Sequence, residues 1–155
     1  MSAVLKDQQA DFRPMGDVDI AEILAIEQTA YTHPWTAVLF EDCLRVGYCC
    51  WVMHRDDAII AYGIMSIGAG ECHILNLCVK PEMQNHGYGS AMLEHLLDIA
   101  RSHNVETAFL EVRPSNRHAI RMYEKAGFNE VGVRSNYYPA VKGREDAVIL
   151  ARSLV

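Results

Sequence analysis

The chain has 155 residues, half of them hydrophobic and 22% charged, with a net charge of −6. That length fits a single domain, residues 1–155, able to bury a core, and the acidic balance disfavours direct nucleic-acid binding while favouring a basic partner. No apolar run reaches membrane-spanning length, and residues 1–10 lack the apolar centre of an export signal, so a cytoplasmic protein with no membrane contact is expected; its odd set of cysteines (Cys43, Cys49, Cys50, Cys72, Cys78) reads as reduced thiols with no metal-binding spacing.

In chain order, residues 1–9 are polar and expected to be flexible. Phe12 to Met15 fits a short edge strand, and Asp17 is placed to cap a helix bearing Ile20, Ile23, Leu24 and Ile26. Tyr31-Thr32-His33-Pro34-Trp35 is a loop, because Pro34 stops a helix from running through it. Thr36 starts a short helix with Leu39, Phe40 and Leu44 inward. Residues 48–55 and 58–67 are β-rich and joined at Asp56-Asp57, as in a hairpin, and Gly68-Ala69-Gly70 turns into a third strand, residues 74–79.

Lys80-Pro81-Glu82 breaks that strand and a glycine loop follows, Gln84-Asn85-His86-Gly87-Tyr88-Gly89. The next helix carries Ala91, Met92, Leu93, Leu96, Leu97 and Ala100 on one face. Strand, glycine loop and helix in that order make an anion cradle, because free N–H groups at a helix start carry partial positive charge and glycine admits a ligand to the backbone. The Lys-Ser/Thr pair of a P-loop is missing, and the third small residue of a dinucleotide fingerprint would fall at Met92. On glycine spacing alone, a simple tight turn is an equal alternative.

Residues 108–112 form a second apolar strand, parallel to residues 74–79 because a helix separates them. Arg113-Pro114 ends it, Ser115 or Asn116 caps a helix through Tyr123, and Gly127 stops that helix. Residues 128–138 and 147–152 make a final hairpin around the loop 139–145. The predicted fold is α/β: a mixed sheet, antiparallel at both ends with one parallel pair in the middle, flanked by helices, with a crevice where the central strands diverge.

Gln84-x-x-Gly87-x-Gly89, set between strand and amphipathic helix, resembles the acetyl-CoA pyrophosphate loop of the GCN5-related N-acetyltransferases (GNAT). Residues 110–116 with Tyr123-Glu124-Lys125-Ala126-Gly127-Phe128 resemble the second block of that family. Asn136-Tyr137-Tyr138-Pro139, Gly143-Arg144-Glu145-Asp146-Ala147 and the early Pro34-Trp35 resemble its bacterial subgroup that acetylates the N-terminal alanine of the eighteenth small-subunit ribosomal protein. The resemblance implies the GNAT fold, acetyl-CoA as co-substrate without a metal, and a basic ribosomal-protein N-terminus as acceptor, in a monomer or weak dimer. It implies acetyl-CoA contacts at Leu77, Cys78, Val79, Gln84, Asn85, His86, Gly87, Tyr88, Gly89, Ser90 and Asn116, with Glu111 as proton acceptor and Tyr123 as proton donor. One departure stands out: Asn85, His86 and Ser90 supply none of the arginines such loops often carry, which leaves phosphate binding to backbone N–H groups and the helix end.

The residues themselves fit that chemistry. An ammonium has no lone pair, so amine acetylation needs a proton acceptor, and Glu111 is a carboxylate in an otherwise apolar strand; the alternative is a strand residue facing solvent. Tyr123 can protonate a leaving thiolate or simply pack, and Asn116 can bond the cofactor arm or cap its helix. Cys78 lacks a neighbouring base in sequence, which favours direct transfer over a covalent acyl-cysteine route. His118 is expected to face solvent. Tyr31, Trp35, Tyr137 and Tyr138 read as walls of a substrate slot, or as loops packing on each other. Two other functions compete with the peptide reading: a small-molecule amine N-acetyltransferase with the same machinery, and a non-catalytic acyl-CoA-binding module, for which Glu111 and Tyr123 would both be superfluous.

Overall fold

Among the described residues, seven β-rich segments hydrogen-bond into one sheet, and four α-helices cover its two faces. The computed structural model describes residues 10–155, so the expectation for residues 1–9 lies outside the described residues. The chain runs β1 (Ala10–Pro14), α1 (Ile20–Ala30), α2 (Ala37–Arg45), β2 (Cys49–Arg55), β3 (Ala58–Gly68), β4 (Glu71–Val79) and α3 (Tyr88–Ser102). It continues through β5 (Thr107–Val112), α4 (Arg117–Lys125), β6 (Asn129–Pro139) and β7 (Arg144–Ser153). The sheet order is β1-β2-β3-β4-β5-β7-β6, and β4–β5 is its one parallel pair among the described residues, as the intervening helix requires.

Each helix is placed by its apolar stripe. Met92, Leu93, Leu96, Leu97 and Ala100 of α3 are fully buried, and burying each of the larger ones contributes about 1.5–3 kcal/mol. Gly63 lets α3 lie close on β3, because a Cβ there would sit 2.8 Å from Leu96 Cδ1. Helices α3 and α4 enclose one core cluster with the sheet; α1 and α2 enclose a second on the opposite face.

The centre of the sheet splays. β4 and β5 are paired from Glu71↔Thr107 to Ile74↔Leu110, and beyond that point β5 pairs only with β7, Glu111 opposite Ile149. A bulge sits where they part: Ile64 faces Asn76 but Met65 faces Ile74, so Leu75 is the extra residue. An extra residue reverses the side-chain alternation. Cys72 and Ile74 therefore belong to the cluster under α3, whereas Cys78 belongs to the cluster under α1 and α2.

Three local expectations are corrected. Asp17 does not cap α1: it opens a 3₁₀ turn that leads into the helix, and no side chain caps α1 itself; Asp19 at the end of the turn reaches back to accept from Gly16 N–H at 2.8 Å while Arg13 grips both its oxygens at 2.7 and 2.8 Å. Leu39 is 45% exposed; Phe40 and Cys43, three residues apart, make the inward face of α2. The last hairpin loop is shorter than residues 139–145, since Pro139 already pairs with Arg144. Thr36 does start its helix, its hydroxyl accepting from Leu39 N–H at 3.4 Å.

Candidate active site

The glycine loop turns on two left-handed residues, Asn85 (φ 65) and Gly87 (φ 85), and Gly87 is the N-cap of α3. The first bond into the helix is Ala91 N–H to Gly87 O at 3.1 Å, so the N–H groups of Tyr88, Gly89 and Ser90 are left to point out of the helix start. They face a cleft of about 540 Å³ between the loop, the free end of β4 and helix α4. Leu77, Cys78 and Val79 form its floor, and Asn85, Gly87, Tyr88, Gly89 and Ser90 form one wall. Gln84 lines the cleft too, but its amide is turned back onto Val79 O at 3.1 Å and braces the loop. His86 is exposed and is the one residue of the anticipated set that does not line this cleft. Tyr88 contributes backbone here, because its ring is buried in the core.

The opposite wall is α4. Asn116 Oδ1 accepts from Ala119 N–H at 3.2 Å, so the residue caps the helix while also lining the cleft. His118, Arg121 and Lys125 lie at helical spacing along the rim, and among the described residues no carboxylate lines the cleft although the chain carries a net charge of −6. Cys78 is on the floor, and burial pushes its thiol pKa up to about 11, which keeps it protonated at neutral pH.

A second cleft of about 480 Å³ opens beside the first, and the two share Tyr31, Leu77, Asn116, Ala119 and Tyr123. Tyr31 holds this junction by donating its hydroxyl to Leu77 O at 3.1 Å. Tyr123 is buried there, and burial raises its pKa well above the ordinary phenol value, so its O–H survives at any working pH. Glu111 lines the second cleft from the splayed end of β5, with its side chain 12% exposed. The predicted aromatics all meet in this cleft: Tyr31 and Trp35 from the loop after α1, Tyr137 and Tyr138 from β6. An irregularity in β6 between Arg134 and Tyr138, with Asn136 at φ 53, re-aims the two tyrosines. Their rings meet edge-on at 4.8 Å, and Arg134 and Arg113 stack on them at 4.3 and 4.4 Å. Burial pushes the Tyr138 pKa up to about 12, with the Tyr137 and Glu111 charges adding to it.

Sequence reasoning missed several residues. Glu27, 1% exposed, accepts from Tyr62 Oη at 2.6 Å, Asn76 Nδ2 at 3.2 Å and Trp35 N–H at 2.9 Å. It ties the aromatic loop to β3 and β4 and lines the second cleft, as does His33. Its signal was present: a carboxylate at the Ile20, Ile23, Glu27 spacing of an apolar stripe. His73 Nε2 lies 2.8 Å from Glu111 Oε1, a contact across the parallel pair with no local signature. Among the described residues, no group of three or more His, Cys, Asp or Glu could hold a metal ion, and no helix is long and apolar enough to cross a membrane.

Ribosomal protein bS18-alanine N-acetyltransferase of Escherichia coli is 39% identical over 133 residues, covering 86% of this chain and 90% of that protein. The crystal structure of the ribosomal-protein-S18-alanine N-acetyltransferase from Escherichia coli matches with a TM-score of 0.86 at 36% identity over 93% of each chain. Ard1 from Thermoplasma volcanium matches with a TM-score of 0.85 at 27% identity, over 94% of this chain and 98% of that one. The acetyltransferase (GNAT) family model matches residues 18–128, which take in the splayed strands, the glycine loop and α4. Both walls and the floor of the first cleft thus fall inside the matched stretch, and the chain belongs to the GNAT family of acetyltransferases.

Proposed function

We propose that this chain transfers the acetyl group of acetyl-CoA directly to the N-terminal alanine of ribosomal protein bS18, in the cytoplasm and as a single catalytic domain. The observation that carries this reading is the junction of two clefts: a carboxylate-free one built on a helix start, and an aromatic one holding Glu111. The similar protein from Escherichia coli is named for that reaction, which supports the choice of acceptor.

In the first cleft, the N–H groups of Tyr88, Gly89 and Ser90 receive the pyrophosphate, and His118, Arg121 and Lys125 supply from α4 the positive charge that the loop lacks. Charge reversal at Arg121 and Lys125 together is expected to raise the acetyl-CoA KM several-fold and to flatten its rise with salt, measured by steady-state kinetics across ionic strength. In the second cleft, Glu111 takes one proton from the peptide ammonium, and the freed amine attacks the acetyl carbonyl carbon. As the C–S bond breaks, Tyr123 gives its hydroxyl proton to sulfur and regains one shed by the new amide nitrogen, so a single proton leaves to solvent by way of Glu111. The protonated Cys78 thiol takes no part, in keeping with direct transfer.

An α-amine has a pKa near 8 and a lysine side chain about 10.4, so far more of the α-amine is neutral near physiological pH, and one carboxylate suffices for it. The aromatic slot suits a small first residue. An Ala-first, Arg-rich peptide is expected to be acetylated, a Trp-first version roughly tenfold more slowly, and internal lysines hardly at all, read by mass spectrometry. Comparable rates on lysine side chains or polyamines would favour the small-amine reading instead.

A further inference from the structure

We infer that His73 is the positioning residue for Glu111, fixing the carboxylate by one oxygen so that the other is presented to the substrate amine. This inference rests on Glu111 being the proton acceptor of the reaction.

The geometry is specific. His73 stands opposite Phe109 in the last paired stretch of β4 and β5, just before the bulge at Leu75, and Glu111 is two residues further along β5. The same side of each strand therefore presents both side chains, and Nε2 reaches Oε1 at 2.8 Å. An ionised carboxylate can only accept, which assigns the hydrogen to Nε2. With Oε1 held, Oε2 remains for an amine in the aromatic cleft, and the freedom of a long flexible side chain is removed before the substrate arrives. The imidazole is reached from elsewhere: it is 35% exposed and lines a shallow groove with Ser66, Gly68, Glu71 and Phe109, which shares no residue with either cleft. A peptide filling the slot therefore leaves the imidazole and its bond to Glu111 in place.

Glu71 on β4 lines the groove beside the imidazole, and on the cleft side stand Glu27, His33 and Tyr138, while Arg113 is paired with Glu145 at 3.2 Å. The hydrogen bond from His73 is therefore what orients the Glu111 carboxylate.

The test is a pair of variants assayed with acetyl-CoA and an Ala-first, Arg-rich peptide across pH. His73→Ala is expected to lower kcat about tenfold at the pH optimum, the size of a lost hydrogen bond to a charged group, with the acetyl-CoA KM unchanged. His73→Gln keeps an N–H donor near the Nε2 position. It is expected to recover most of the rate that alanine loses, with both KM values close to those of the parent. Full activity of His73→Ala, or a His73→Gln variant as slow as His73→Ala, would overturn the inference. Glu111→Gln assayed alongside separates the two readings: if it is inactive while His73→Ala is fully active, only the role of His73 fails; if it is as active as the parent, the base assignment itself fails.

Discussion

Glu111→Gln is expected to reduce kcat by roughly 10²–10⁴-fold while leaving acetyl-CoA binding nearly intact, because the amide keeps the shape and loses the proton acceptor. The environment makes the expectation sharp. Glu111 is held by the β5–β7 pairing at Ile149, its side chain is mostly buried, and among the described residues the other carboxylate lining the two clefts is Glu27. Glu27 is 1% exposed and already accepts from Tyr62, Asn76 and the Trp35 N–H, so it is poorly placed to stand in. A variant within a few-fold of the parent across pH would remove Glu111 from the mechanism.

Gly87→Val is expected to raise the acetyl-CoA dissociation constant roughly tenfold to hundredfold, as one hydrogen bond to a charged group is lost at about 1.5–3 kcal/mol. Gly87 sits at φ 85, where a side chain costs about 1–2 kcal/mol and a β-branched one is worse placed still. Relief of that strain turns the loop and takes the N–H groups of Tyr88, Gly89 and Ser90 off the anion. The neighbouring glycine is a poorer probe, since a Cβ on Gly89 would meet Met122 Sδ at 3.0 Å and push on α4. Calorimetry giving an unchanged dissociation constant, with the thermal midpoint little altered, would detach the loop from acetyl-CoA binding.

Much of this architecture is legible in the sequence because it follows from local rules. The α3 stripe, the Thr36 cap and the left-handed stop at Gly127 are each decided within a few residues. The helix between two apolar strands forces the parallel pair, and with it a crevice. Where tertiary contacts decide, the local reading fails: Asp17 suits a cap, but Arg13, arriving on β1, and the Gly16 N–H engage Asp19 instead. Leu39 and Phe40 both read as inward, and how α2 lies against the sheet leaves Leu39 exposed.

The sequence by itself determined the order of elements, the glycine loop, the carboxylate in an apolar strand, and the tyrosines and tryptophan on the helix and loops. Periodicity and turn chemistry act over short spans, and their signals survive without a fold. Only the tertiary structure decided what those residues face. The bulge at Leu75 inverts the alternation and sends Cys78 to the side opposite Cys72. The splay beyond Ile74 leaves Glu111 beside a cleft rather than beside another strand. The contacts of Glu27 with Tyr62 and Asn76 and of His73 with Glu111 join residues far apart in the chain. Such contacts are set by strand register and sheet curvature, which are properties of the whole sheet and leave no trace in the spacing of any one segment.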